Sequence, residues 1–144
     1  MKKQLINACI SHLEGIINQT KKLTDDIQCQ VNEYGQNKDR YDSFRTKMMR
    51  TKEMYIQQME HAASNIKALL NIPLEKNDTV KHGSLVISDK QCFFVSIGIG
   101  KLQFQQMDYF VISMSAPIFR AMKDKKAGDI FVFNNMKHTI KEIL

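Results

Sequence analysis

A chain of 144 residues that is 43% hydrophobic and 25% charged has the apolar content of one folded domain, or of two small units sharing little core. No apolar run approaches the roughly 18 residues of a membrane span. The start, MKKQLINACISHLEG, lacks the apolar segment of about 7–15 residues of a signal peptide, so a cytoplasmic location is expected. The net charge of +6 permits an acidic or nucleic-acid partner without identifying one, and Cys9, Cys29 and Cys92 lack the CxxC spacing of a zinc finger or redox pair.

In residues 1–34 apolar or small residues recur in steps of 4 and 3: Leu5, Cys9, Leu13, Ile16, Thr20, Leu23, Ile27 and Val31. That spacing draws one narrow stripe along a helix. A break at 35-GQNK-38 suits a helix end and a turn. The spacing then resumes with Phe44, Met48, Thr51, Tyr55, Gln58, Ala62, Ile66 and Leu69, and ends before Pro73. Two helices of about 30 residues, each roughly 45 Å long, are expected. A short turn makes them antiparallel, and such thin stripes suit a two-stranded coiled-coil hairpin over residues 1–72, with its tip near 35–43. Phe44 is expected to close the seam. Residues 73–79 read as a linker.

From residue 80 the period shortens. 83-GSLVIS-88 and 91-QCFFVSIG-98 flank a turn at Asp89-Lys90, and 108-DYFVISM-114 is a third strand. In 115-SAPIFRAMK-123, Ser115 is an expected N-cap and Pro117 falls in the first helical turn, where a missing N–H costs little. Gly128 and Asp129 lead into 130-IFVF-133, Asn134-Asn135 makes a tight turn, and 138-HTIKEIL-144 alternates as a last strand. The expected fold is α+β: a helical hairpin, then an antiparallel sheet of about five strands over residues 80–144 carrying one short helix.

The tip segment 37-NKDRYDSFRTKMMR-50 holds two acids three residues apart, Asp39 and Asp42, among many bases. Acids in a first helical turn are ordinary caps that favour the positive end of the helix dipole. Spaced i and i+3, they also share one face and could hold one hard cation. The band Lys38, Arg40, Arg45, Lys47, Arg50 and Lys52 is either a solvated face or a contact for phosphates, and Tyr41 could stack on a base. No nucleophile elbow, Walker loop, zinc or dinucleotide motif occurs, and the four histidines have no ligand spacing.

The segment 112-ISMSAPIFRAMKDKKAGDIFVF-133 resembles, without gaps, a pattern of the bacterial Gre family of transcript-cleavage factors: I-S, then S-P-I-x-R-A-L, then G-K-x-x-G-D and a strand. 39-DRYD-42 is similar to that family's D-x-x-E at its hairpin tip, so the resemblance spans nearly the whole chain. It implies an FKBP-like C-terminal domain that docks on bacterial RNA polymerase through Ser115, Pro117, Ile118 and Arg120. A monomer is the expected state, though the stripe alone leaves pairing within or between chains open; the resemblance implies that the coiled coil enters the secondary channel, where Arg40, Arg45 and Lys47 contact the channel or the RNA 3′ end. Asp39 and Asp42 would then help hold the polymerase's second Mg²⁺, with no cofactor bound stably by the factor itself and no active site of its own. Asp42 stands where the family has Glu, and Ala116 where it has Ser. A secondary-channel regulator without cleavage activity, and a structural coiled-coil adaptor, are the alternative readings.

Overall fold

The computed structural model describes residues 2–34 and 43–144. The helical spacing becomes α1 (Lys2–Tyr34) and α2 (Ser43–Leu70), and the short-period half becomes six strands and one short helix. The chain divides into two compact units, one of Ile10–Lys67 and one of Met1–Cys9 with Ala68–Leu144. The first turns of α1 and the end of α2 therefore belong with the sheet, whereas the sequence spacing alone placed all of residues 1–72 in the hairpin.

In the helical unit Leu13, Thr20, Thr24 and Val31 of α1 are buried, as are Met48 and Ala62 of α2. Ile16, Ile27, Tyr55, Met59 and Ile66 are half-buried between them. The steps are those of a heptad seam rather than of a broad globular face. The Lys52 ammonium donates to Gln28 Oε1 across the pair. Three expected seam residues are not in it. Leu23 is 46% exposed and Thr24 takes its place, Gln58 is exposed and Met59 takes its place, and Phe44 is 52% exposed. The step from Thr20 is four residues, not three, and Thr24 tolerates the seam because its hydroxyl donates to the Thr20 carbonyl at 2.9 Å. Thr24→Val should raise the thermal midpoint of the helical signal, since it trades that internal bond for a buried methyl worth about 0.8 kcal/mol. A lower midpoint in a circular-dichroism melt would show the hydroxyl to be the better seam group.

The sheet unit contains β1 (Leu85–Ser88), β2 (Cys92–Val95), β3 (Gly100–Phe104), β4 (Met107–Ile112), α3 (Pro117–Met122), β5 (Ile130–Phe133) and β6 (Met136–Ile143). Their order across the sheet is β3-β4-β2-β1-β6-β5. Two features depart from the expected all-antiparallel sheet of about five strands. β3 is an additional strand, and β2 pairs in parallel with β4, Phe93 opposite Phe110. After Gly98 and Gly100 the chain runs out along the edge as β3, turns at Gln105-Gln106, and returns as β4 into the gap beside β2. Both glutamines take positive φ, 50° and 64°. Asn134 and Asn135 do the same between β5 and β6, at 52° and 62°, as expected for a two-residue hairpin turn.

β2 is buried at all four positions, as a central strand covered on both faces must be. On one face Phe93, Val95, Val86 and Ile140 pack with Phe119 and Met122 of α3 and with Phe131. The opposite side holds Leu85 and Phe94, both fully buried. Leu5, Cys9, Leu69 and Ile72 are buried in the same unit and supply its remaining apolar cover. The Lys2 ammonium, also buried, donates to the Glu75 carbonyl at 3.0 Å and so ties the first turn of α1 to the segment after α2. Burial, then the charge of Lys81, lowers its pKa. Gly83 has φ of 88°, and a Cβ there would lie 3.1 Å from Ile72 Cγ2, so the turn into β1 takes glycine for both reasons.

Candidate functional site

The four residues expected to dock a partner lie in and just before α3. The local fold follows from Pro117, which sits at the helix start where its ring fixes φ and no amide is lost. Ser115 is not the cap. Ala116 holds that position in extended conformation with no side-chain cap bond, and the Ser115 hydroxyl instead lies 2.8 Å from that of Ser113. Phe119 and Met122 anchor the helix in the core. Ser115, Pro117 and Arg120 are exposed and Ile118 is half-buried.

Ile118 reaches the lip of a groove of about 300 Å³ between α3 and the sheet. Phe93, Phe110, Ile112, Phe133 and Met136 line it, with His138 among them. Of the four expected docking residues the structure brings only Ile118 to this groove. Ser115 and Pro117 are exposed at the helix start and Arg120 in its last turn. None of the strand residues in the lining stood out in the sequence as a site. The available signal was the Asn134-Asn135 turn, which sets Phe133 opposite Met136 and Phe131 opposite His138.

His138 is buried, stacks on Phe131 with centroids 4.9 Å apart, and has no hydrogen-bond partner at Nδ1. Burial lowers its pKa, Lys90 lowers it further, and Asp89 opposes them. The folded state thus holds the ring neutral. A lowered folded pKa means that the unfolded chain binds the proton more tightly, so the stability contributed is complete above the unfolded value of about 6.5 and is lost as pH falls below it. Urea unfolding of the wild type at pH 7.5 and 5.5 should show lower stability at 5.5, and His138→Phe, which keeps a stacked ring without a proton, should shrink that difference. An unchanged difference in the variant would assign the acid sensitivity to other groups.

Asp89 closes the opposite end of the β1–β6 ladder. Its carboxylate accepts from the Thr139 amide at 3.0 Å, and that bond is the main reason its pKa is lowered. Its neighbourhood is a second hollow of about 480 Å³, lined among others by Lys90, Lys101, Asp108 and Cys92. Lys101 and Asp108 pair at 3.2 Å. Burial raises the Cys92 thiol pKa, which leaves it the protonated, poorly nucleophilic form.

The expected metal-presenting acids Asp39 and Asp42, and Arg40 beside them, lie outside the described residues. Arg45 is half-buried and Lys47 exposed on the first turns of α2. Among the described residues no three of His, Cys, Asp and Glu come together as a metal site, and no helix is long and apolar enough to cross a membrane.

No protein-family model matches the chain, and no curated protein matches it. Solved structures similar to it include two of the same kind. One is the crystal structure of GreA factor homolog 1 (Gfh1) of Thermus thermophilus, at 15% identity and a TM-score of 0.37, covering 94% of each chain. The other is a structure of the transcription factor Gfh1, at 13% identity and a TM-score of 0.41, covering 94% of this chain and 91% of that one.

Proposed function

We propose that this protein is a Gre-like transcription factor that binds RNA polymerase at its secondary channel and stimulates cleavage of backtracked RNA. The observation that carries the reading is the segment 112–133. It resembles the Gre pattern without gaps, and it folds here as the end of β4, the Pro117-led helix and β5, with Ile118 beside an apolar groove. A half-exposed apolar side chain on a proline-fixed helix start, next to a groove lined by Phe110 and Phe133, is a good anchor for a partner surface. Arg120, exposed two residues on, supplies a charged contact at the rim.

In this reading the helical hairpin is the probe that enters the channel. Asp39 and Asp42 lend carboxylates to the Mg²⁺ ions of the polymerase, and Arg45 and Lys47 face phosphates or the channel wall. The two-metal scheme needs little from the factor: one ion steadies the attacking oxygen and the other the leaving oxygen, and one or two extra oxygen ligands hold the second ion in place. The protein is then not itself an enzyme, and it works where the polymerase is, in the cytoplasm.

The test is direct. A polymerase stalled in a backtracked complex, given the protein and Mg²⁺, should release 3′ RNA fragments faster than without it. Binding to polymerase without faster cleavage would support a second reading, a secondary-channel regulator, which the shorter Asp42 favours because it sets the carboxylate one methylene back from the family's Glu. Failure to bind polymerase would leave the coiled-coil adaptor.

A further inference from the structure

The two edges of the sheet are built differently. β3 carries Lys101 and Gln103 on its exposed face, and Lys101 is paired with Asp108, the kind of charge that blunts an edge against further pairing. β5, at the other edge, reads IFVF, with neither charge nor proline. Ile130 and Val132 are each 54% exposed.

The backbone of β5 is also available. The two-residue turn at Asn134-Asn135 makes Phe133 and Met136 a hydrogen-bonded pair. Alternation along an antiparallel ladder then makes Phe131 and His138 the next such pair, and turns the amides and carbonyls of Ile130 and Val132 away from β6. The bonds at the far end agree: Ile140 is engaged by Gly128 and Asp129, which leaves Ile130 facing outward. Among the described residues no strand pairs with that side of β5.

The neighbouring side chains select the occupant. Val132 lies opposite Lys137 and Ile130 opposite Thr139, and past the end of β5 the bulge in β6 leaves Lys141 and Glu142 both exposed, so the outer face is an apolar pair with Lys137 directly beside it. We propose that the free edge of β5 captures an extended, acidic segment of a partner protein by strand addition: its backbone pairs with Ile130 and Val132, its apolar side chains lie on theirs, and its carboxylates meet Lys137. Two residues of open edge offer four backbone bonds, so the contact is weak and transient. The inference stands apart from the polymerase reading, since it uses neither α3 nor the hairpin tip.

A capped heptapeptide Glu-Thr-Val-Thr-Val-Thr-Glu, which sets two valines and two carboxylates on one face of the strand, is the probe, with Lys-Thr-Val-Thr-Val-Thr-Lys as its control. Titrated into the ¹⁵N-labelled protein, the Glu peptide should shift the amides of Ile130 and Val132 and slow their exchange with solvent, and the Lys peptide should do neither. Val132→Pro, which removes an outward amide, should weaken binding at least tenfold. Val132→Glu, which leaves the backbone intact at an exposed edge, should weaken it by setting a carboxylate in the apolar strip against the carboxylates of the peptide. Shifts confined to other strands, or equal binding by both variants, would overturn the proposal. So would concentration-dependent shifts at Ile130 and Val132 in the protein alone, which would make a second copy the occupant.

Discussion

Phe93→Ala should cost the sheet unit about 3–5 kcal/mol in urea unfolding at neutral pH. Phe93 is 1% exposed at the centre of β2. Its ring meets Phe110 at 5.9 Å and both Phe131 and His138 at 6.1 Å between centroids. Truncation removes the transfer energy of a buried ring and leaves a void that four strands cannot close, because each neighbour is itself held by strand pairing. A domain of this size holds only some 5–15 kcal/mol in all. The groove beside Ile118 shares this wall, so the variant should also lose whatever binds there. Met54→Ala is the control: the side chain is 49% exposed on α2, and the change should stay within about 0.5 kcal/mol. A loss under about 1 kcal/mol for Phe93→Ala would mean that the core repacks freely, and the groove could then not be a preformed site.

The second large effect concerns function. Asp39→Asn and Asp42→Asn should each return cleavage of backtracked RNA to the polymerase's own rate while leaving binding to polymerase unchanged. An amide keeps the size of the carboxylate but gives up the charge that a hard cation requires. Ile118→Asp should show the reverse pattern, with binding weakened at least tenfold and cleavage recovered at high protein concentration, because a charge would be driven against the apolar groove. Asp42→Glu separates reach from charge. If the shorter side chain limits the chemistry, the longer one should cleave faster than the wild type. Normal cleavage by both asparagine variants would reduce the two acids to helix caps.

Much of this fold is legible in the residues, and the exceptions have physical causes. Long helices announce themselves because a heptad stripe repeats many times, so one misplaced position does not disturb the pattern. Leu23 was nevertheless the natural seam residue by hydrophobicity, and the seam took Thr24 instead, because a threonine that satisfies its own hydroxyl costs less than a break in the heptad. β3 is hidden in the sequence for another reason. Its alternation, Lys101 and Gln103 against Leu102 and Phe104, is regular, but it closes through Gln105-Gln106, a pair that rarely occupies positive φ and carries none of the usual Asn or Gly signal. The parallel contact between β2 and β4 is not written in either strand. It follows from the path of β3, which leaves a gap for β4 to fill. Ser115 suits a cap by residue type alone, but the helix starts at Pro117 and its cap position falls to Ala116. At the site, Ile118 is reachable through its motif, whereas Phe110, Phe133 and His138 meet around one groove only once the β3–β4 and β5–β6 hairpins flank β2 and β1 in the sheet.

The clamp from Lys2 to the carbonyl of Glu75 has a consequence in time. The unit it belongs to is discontinuous, made of the first residues of the chain and of everything after Ala68. During synthesis the segment Ile10–Lys67 is complete long before that unit is, and it contains mostly contacts near in sequence, the kind that form fast. Leu5 and Cys9 emerge before residues 68–144, so their burial in that unit waits for the later segment. A nascent chain caught midway would therefore carry a finished pair of helices with Leu5 and Cys9 still bare.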